Sequence, residues 1–113
     1  PDNFTLLSGD DAITLPLISV GVEGVISVVA NALPERFSNM VHSAISGDFA
    51  RANHEHYELM DMTRLMFSEG NPGGVKEALV ERGICSNFMR LPLVSISEGL
   101  RDEIHQEMKR LMQ

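Results

Sequence analysis

Two carboxylates side by side, Asp10 and Asp11, follow a serine and a glycine in the turn Ser8-Gly9-Asp10-Asp11. Paired carboxylates suit general acid–base work or a hard cation, although a helix cap accounts for one of them without any chemistry. We assign Asp11 to the cap of the helix that follows and Asp10 to the mouth of a site. Gly9 beside them permits backbone torsions, or a close approach, that a side chain would block.

The other reactive side chains are less well placed. His54 and His56 are two apart on a predicted helix and point to nearly opposite sides, whereas helical metal ligands need a spacing of three or four. His42, His54 and His105 are expected in solvent and His56 on the packed face, and no metal site is predicted. Cys85 has no base or cationic neighbour in Gly83-Ile84-Cys85-Ser86-Asn87, so a buried, inert thiol is expected.

The elements that must hold the aspartate turn can be read on either side of it. Phe4–Leu7 and Val25–Val29 are short apolar runs without alternation, bounded by Gly, Asp and Asn, as in strands buried on both faces. Ala12–Val20 between them is long enough for a crossover helix, irregular at Pro16. The result is a β-α-β unit with parallel strands, and in such sheets ligands gather at the carboxyl ends.

The rest reads as helix. Pro34 fits a first helical position, and Phe37, Met40, Val41, Ala44 and Ile45 repeat on one face. Gly47 stops this helix and Asp48 caps the next, whose buried side should carry Phe49, Ala52, His56, Leu59, Met60, Thr63, Met66 and Phe67. A third helix runs from about Pro72 to Arg82, and Ile84–Ile96 is expected to be an extended segment packed on the core. Ser97 caps a last helix with Leu100, Ile104, Met108 and Leu111 along one side and Arg101 in solvent. The seven methionines belong to core or subunit contacts rather than to a binding groove.

A net charge of −7 with scattered basic residues argues against a nucleic-acid partner. No apolar run approaches the ~20 residues of a membrane span. With a single Cys suited to a reducing compartment, the expected location is the cytoplasm.

Four separated blocks resemble one family. Ser8-Gly9-Asp10-Asp11, Gly24–Asn31, Asn71-Pro72 with Val75-Lys76, and Arg90-Leu91-Pro92-Leu93 are similar, in order and spacing, to the carboxyl-terminal part of the dihydrodipicolinate synthases. The implied fold class is α/β: the last two β/α units of a TIM (β/α)8 barrel followed by a helical domain, divided as residues 1–47 and 48–113. With no initiator Met and a strand beginning almost at once, the chain is expected to be a segment of a longer enzyme.

The resemblance implies an activity for the complete enzyme, the condensation of pyruvate with aspartate semialdehyde through a Lys imine, with a Tyr moving protons and no cofactor. That Lys and Tyr would lie on strands before Pro1, so the segment alone should hold no catalytic residue and be inactive. Position by position, Ile26 matches the residue whose backbone touches pyruvate, and Gly9 and Asp10 match the loop facing the second substrate. Lys76 matches a position in the tail, not the imine-forming Lys. The family also implies a homo-oligomer, a tetramer or a dimer.

One departure is Asn71-Pro72-Gly73-Gly74-Val75-Lys76, where the family pattern has a second proline; a more flexible helix opening is expected. A sialic acid lyase-like aldolase of the same fold is the alternative enzyme. A non-catalytic helical fragment serving packing or oligomerisation is the alternative of another kind.

Overall fold

The computed structural model describes residues 3–113. The two short strands pair in parallel, β1 (Leu7–Ser8) with β2 (Gly24–Val25), in the register Leu7 to Gly24 and Ser8 to Val25. Parallel pairing through a helical crossover is as expected, but the strands are shorter. Val29, placed in a strand by its apolar neighbours, is the first residue of a helix, α2 (Val29–Ala32). Nor are the runs buried on both faces: Phe4 is 68% and Ile26 74% exposed, because a pair of strands leaves edges and a face that the described residues do not cover.

The crossover opens as a single 3-10 turn, Asp11–Ile13, and continues as α1 (Thr14–Ser19). Pro16 is the third residue of α1, where the missing N–H would have had no partner within the α-helix. The irregularity expected around it is confined to the 3-10 opening.

The chain forms two units, one up to Leu59 and one from Met60 to Gln113. In the first, α3 (Pro34–Ile45) buries Phe37, Met40, Val41 and Ala44 as its periodicity requires, each large side chain contributing about 2 kcal/mol, while Ile45 at its end is exposed. Gly47 ends it at φ +86°, with its N–H on the Ala44 carbonyl and that of Asp48 on Ser43 at 2.8 Å. Paired bonds of this kind need a left-handed residue, which is why glycine stands there. Asp48 then accepts the Arg51 N–H at 3.1 Å, capping α4 (Phe49–Phe67) as expected.

Along α4 the buried side chains are Ala52, Leu59, Met62, Thr63, Leu65 and Met66. Phe49, Met60 and Phe67, expected inside, are exposed by 36–42%. Phe49 and Phe67 are the end residues of α4, and Met60 lies one position from the stripe through Leu59, Met62 and Met66. His56 is half-buried, and that burial lowers its pKa.

In the second unit α5 (Gly73–Glu81) packs against α6 (Glu98–Leu111). The residues between them form no regular element and do not pack on the core as expected: Phe88, Leu91 and Val94 are exposed while Ile96 is buried, and Cys85 is exposed there, not buried. The segment around Cys85 has no helix or strand of its own to tuck a small thiol inward. Ser97 caps α6 as predicted, and Leu100, Ile104, Met108 and Leu111 are its buried residues.

The glycine pair opening α5 answers to packing rather than flexibility. A Cβ on Gly74 would lie 2.5 Å from the Met66 carbonyl oxygen, and one on Gly73 would lie 2.6 Å from Ile96 Cγ2. Two residues expected in solvent also find partners: His105 Nε2 lies 2.9 Å and Arg101 Nε 3.5 Å from the buried Glu77 carboxylate. Met40, Met62, Met66 and Met108 are fully buried, in keeping with methionines used as core.

Candidate functional site

The turn after β1 is tied together by its own hydroxyls. Ser8 Oγ donates to the Asp10 carbonyl at 3.0 Å and accepts the Asp10 N–H at 3.2 Å. The Thr14 hydroxyl, fully buried, lies 2.7 Å from the same carbonyl and 3.0 Å from Ser8 Oγ. A serine at the end of a strand and a threonine one turn into the crossover thus hold Gly9 and Asp10 between them.

The cap role expected of Asp11 falls to Asp10. Asp10 is the local cap: its Oδ1 accepts the Ala12 N–H at 2.8 Å while its side chain stays exposed. Asp11 is 4% exposed and turns toward the other strand end, where its Oδ2 accepts the N–H groups of Val28 at 2.9 Å and Val29 at 3.1 Å. These are the first donors of α2, so Asp11 caps a helix 17 residues further along the chain. Nothing local in the sequence announces that bond.

Ile26 leaves β2 with its N–H already committed to the Ser8 carbonyl at 2.9 Å. The carbonyl of Ile26 has no hydrogen bond among the described residues. Gly9, exposed in the turn, has no neighbour within 4 Å of the position a Cβ would take, and its φ is not positive. The torsional need expected of it is absent.

The parallel strands therefore bring Gly9, Asp10 and Ile26 to one end of the pair. Ser27 was missed as a participant: its Oγ accepts the Ala30 N–H at 2.9 Å, a serine-cap pattern legible in Ser27-Val28-Val29-Ala30. A separate groove of about 490 Å³ runs beside β2 between Leu7, Val25, Phe37, Val41 and Ile45. None of Gly9, Asp10 or Ile26 lines it, and its walls are mostly apolar. Among the described residues, no three His, Cys, Asp or Glu side chains converge as metal ligands, and no helix is long and apolar enough to cross a membrane.

Comparison with known proteins gives one consistent result. The sequence model of the dihydrodipicolinate synthetase family matches residues 1–111. A 4-hydroxy-tetrahydrodipicolinate synthase of Methanosarcina mazei is 43% identical over 110 residues, which is 97% of this chain and 38% of that protein. One of Phocaeicola vulgatus is 50% identical over 94 residues, 83% of this chain and 32% of the relative. Among solved structures, the dihydrodipicolinate synthase of Aquifex aeolicus superposes with a TM-score of 0.94 at 38% identity, over 99% of this chain and 38% of that one. The chain spans between 32% and 38% of the length of these relatives.

Proposed function

The chain belongs to the dihydrodipicolinate synthetase family, and from that premise we propose that the complete protein condenses pyruvate with aspartate semialdehyde, this chain supplying the last two β/α units of a barrel, residues 1–47, and the helical domain after them, residues 48–113. The observation that carries the reading is the meeting of Gly9, Asp10 and the Ile26 carbonyl at one end of a parallel pair, tied across by Asp11. Parallel strands present ligands at that end.

In this reading a lysine amine outside the present chain attacks the pyruvate carbonyl and expels water as the imine forms. The imine draws electrons from the methyl group, whose proton passes to a base outside the present chain; the resulting enamine carbon bonds to the aldehyde carbon, the imine re-forms, and the aldehyde oxygen takes up a proton. Ile26 offers a fixed acceptor to the bound keto acid, and a rigid strand end keeps it in place. Gly9 and Asp10 border the approach of the aldehyde. The reading includes a homo-oligomer, a dimer or a tetramer, supported by large apolar side chains left exposed, such as Val20 at 78%.

Trapping tests it. Pyruvate with borohydride should add one reduced pyruvyl group per subunit to the full-length enzyme, on a lysine other than Lys76 or Lys109. Lys76 spends its amine on the Phe88 carbonyl, and Lys109 lies exposed on α6. A full-length protein that traps no pyruvate would overturn the function, and an adduct on Lys76 or Lys109 would overturn the assignment of roles.

A further inference from the structure

The β1–β2 ladder is two residues long on each strand, too short to fix the turns beyond it. Past the ladder the strand ends are joined by the Ile26 N–H to the Ser8 carbonyl and by the two bonds that Asp11 Oδ2 accepts from Val28 and Val29. Asp11 is not needed for its own helix, because Asp10 already caps it. Its carboxylate is buried, and Oδ1 meets no donor among the described residues. Burying a carboxylate is costly unless its bonds do something, and here they run from one strand end to the other.

We infer that Asp11 is a positioning residue: one carboxylate oxygen locks the turn holding Gly9 and Asp10 to the turn that carries Ile26, so that the groups facing the two substrates keep a fixed separation. The inference rests on the proposed reaction for the identity of those substrates, while the lock itself is a matter of hydrogen bonds. A single acceptor oxygen makes both bonds, so the side-chain oxygen of an asparagine can make them too. Alanine removes both. Glutamate keeps the charge and displaces the acceptor by one methylene.

The test uses the full-length enzyme with Asp11→Ala, Asp11→Asn and Asp11→Glu. Asp11→Ala should raise KM for pyruvate and for the aldehyde about tenfold while saturating pyruvate still labels every subunit under borohydride. Asp11→Asn should keep both KM values within about threefold of the parent. If Asp11→Ala yields no soluble enzyme, Asp11→Glu carries the same arm, with KM raised for both substrates. A melting temperature that falls in Asp11→Ala or Asp11→Glu with both KM values unchanged would make Asp11 merely structural and overturn the inference.

Amide exchange supplies a readout that does not depend on turnover. Val28 and Val29 should exchange about a hundredfold faster in Asp11→Ala, or in Asp11→Glu if alanine is insoluble, and near the parent rate in Asp11→Asn. Unchanged protection in the tested variant would overturn the lock. A parent enzyme that traps no pyruvate would overturn the functional reading instead, and the exchange arm would still judge Asp11.

Discussion

Glu77 of α5, with 3% of its side chain exposed, holds His105 of α6 at 2.9 Å through Nε2. Arg101 Nε stands 3.5 Å from the same oxygen, an ion pair too long for a good hydrogen bond, and Asn87 donates to the other oxygen at 3.0 Å. Glu81 faces the far side of the imidazole, 3.7 Å from Nδ1. A buried carboxylate thus gathers donors from α6 and from the irregular segment.

Glu77→Ala should lower the stability of the full-length protein by about 2–3 kcal/mol, since His105 can recover water but the buried Arg101 Nε loses its counter-charge and the cavity is not refilled. Thermal melts measure it. In a double-mutant cycle of Glu77→Gln with His105→Gln, a coupling of about 1 kcal/mol is expected. Strict additivity would mean that the contact contributes nothing.

Gly74→Ala should be far more damaging than Gly73→Ala. The added methyl at Gly74 meets Met66 backbone atoms at 2.5–2.8 Å, whereas at Gly73 it meets the branch methyl Cγ2 of the buried Ile96 at 2.6 Å, a side-chain atom that yields only at the cost of a stiff χ1. We expect a loss of about 3 kcal/mol or more at Gly74 and about 1 kcal/mol at Gly73. Equal melting temperatures for the two variants would remove packing as the reason for the pair.

Acid should weaken the protein in two separate windows. Burial lowers the His56 pKa, so as pH falls through 6.5 the unfolded chain takes the proton first and stability declines toward the folded value. The Ser97 hydroxyl and then the Ser97 N–H hold the Glu69 carboxyl below its ordinary 4.5, so its contribution is complete above that pH and is lost as pH falls through the folded value. Denaturant titrations from pH 8 to 3 should show the first slope flattened in His56→Gln and the second in Glu69→Gln. Identical pH profiles for the parent and both variants would refute these assignments.

Gly9→Val should slow condensation with the aldehyde about tenfold while leaving imine formation with pyruvate nearly unchanged. The turn has open space at Gly9 and no positive φ, so the melting temperature should barely move. Single-turnover trapping beside steady-state kinetics separates the two steps. Equal slowing of both would place Gly9 away from the second substrate.

What the sequence shows depends on how far each contact reaches. The caps Asp48 and Ser97 and the faces of α3 and α6 are set by residues three or four apart, and they read correctly apart from the exposed Ile45 at the end of α3. The parallel pair was legible from two apolar runs and the spacing between them, although not its short length. The cap expected of Asp11 is made by Asp10 instead, because the partners of Asp11 lie 17 and 18 residues away. Gly73 and Gly74 looked like slack because no local pattern reports that Ile96 and Met66 press on them.

The relay at the start of α6 has a consequence for how that helix comes into being. Glu69 accepts both the Ser97 N–H and the Ser97 hydroxyl, and Ser97 Oγ in turn accepts the Leu100 N–H at 3.3 Å. Nucleating a helix is its unfavourable step, because several residues are fixed for one bond. Here the nucleus is anchored by a side chain 28 positions earlier, so the first turn of α6 should gain persistence only when the residues around Glu69 arrive. Its ordering is then a long-range event, synchronised with the docking of α5 against it.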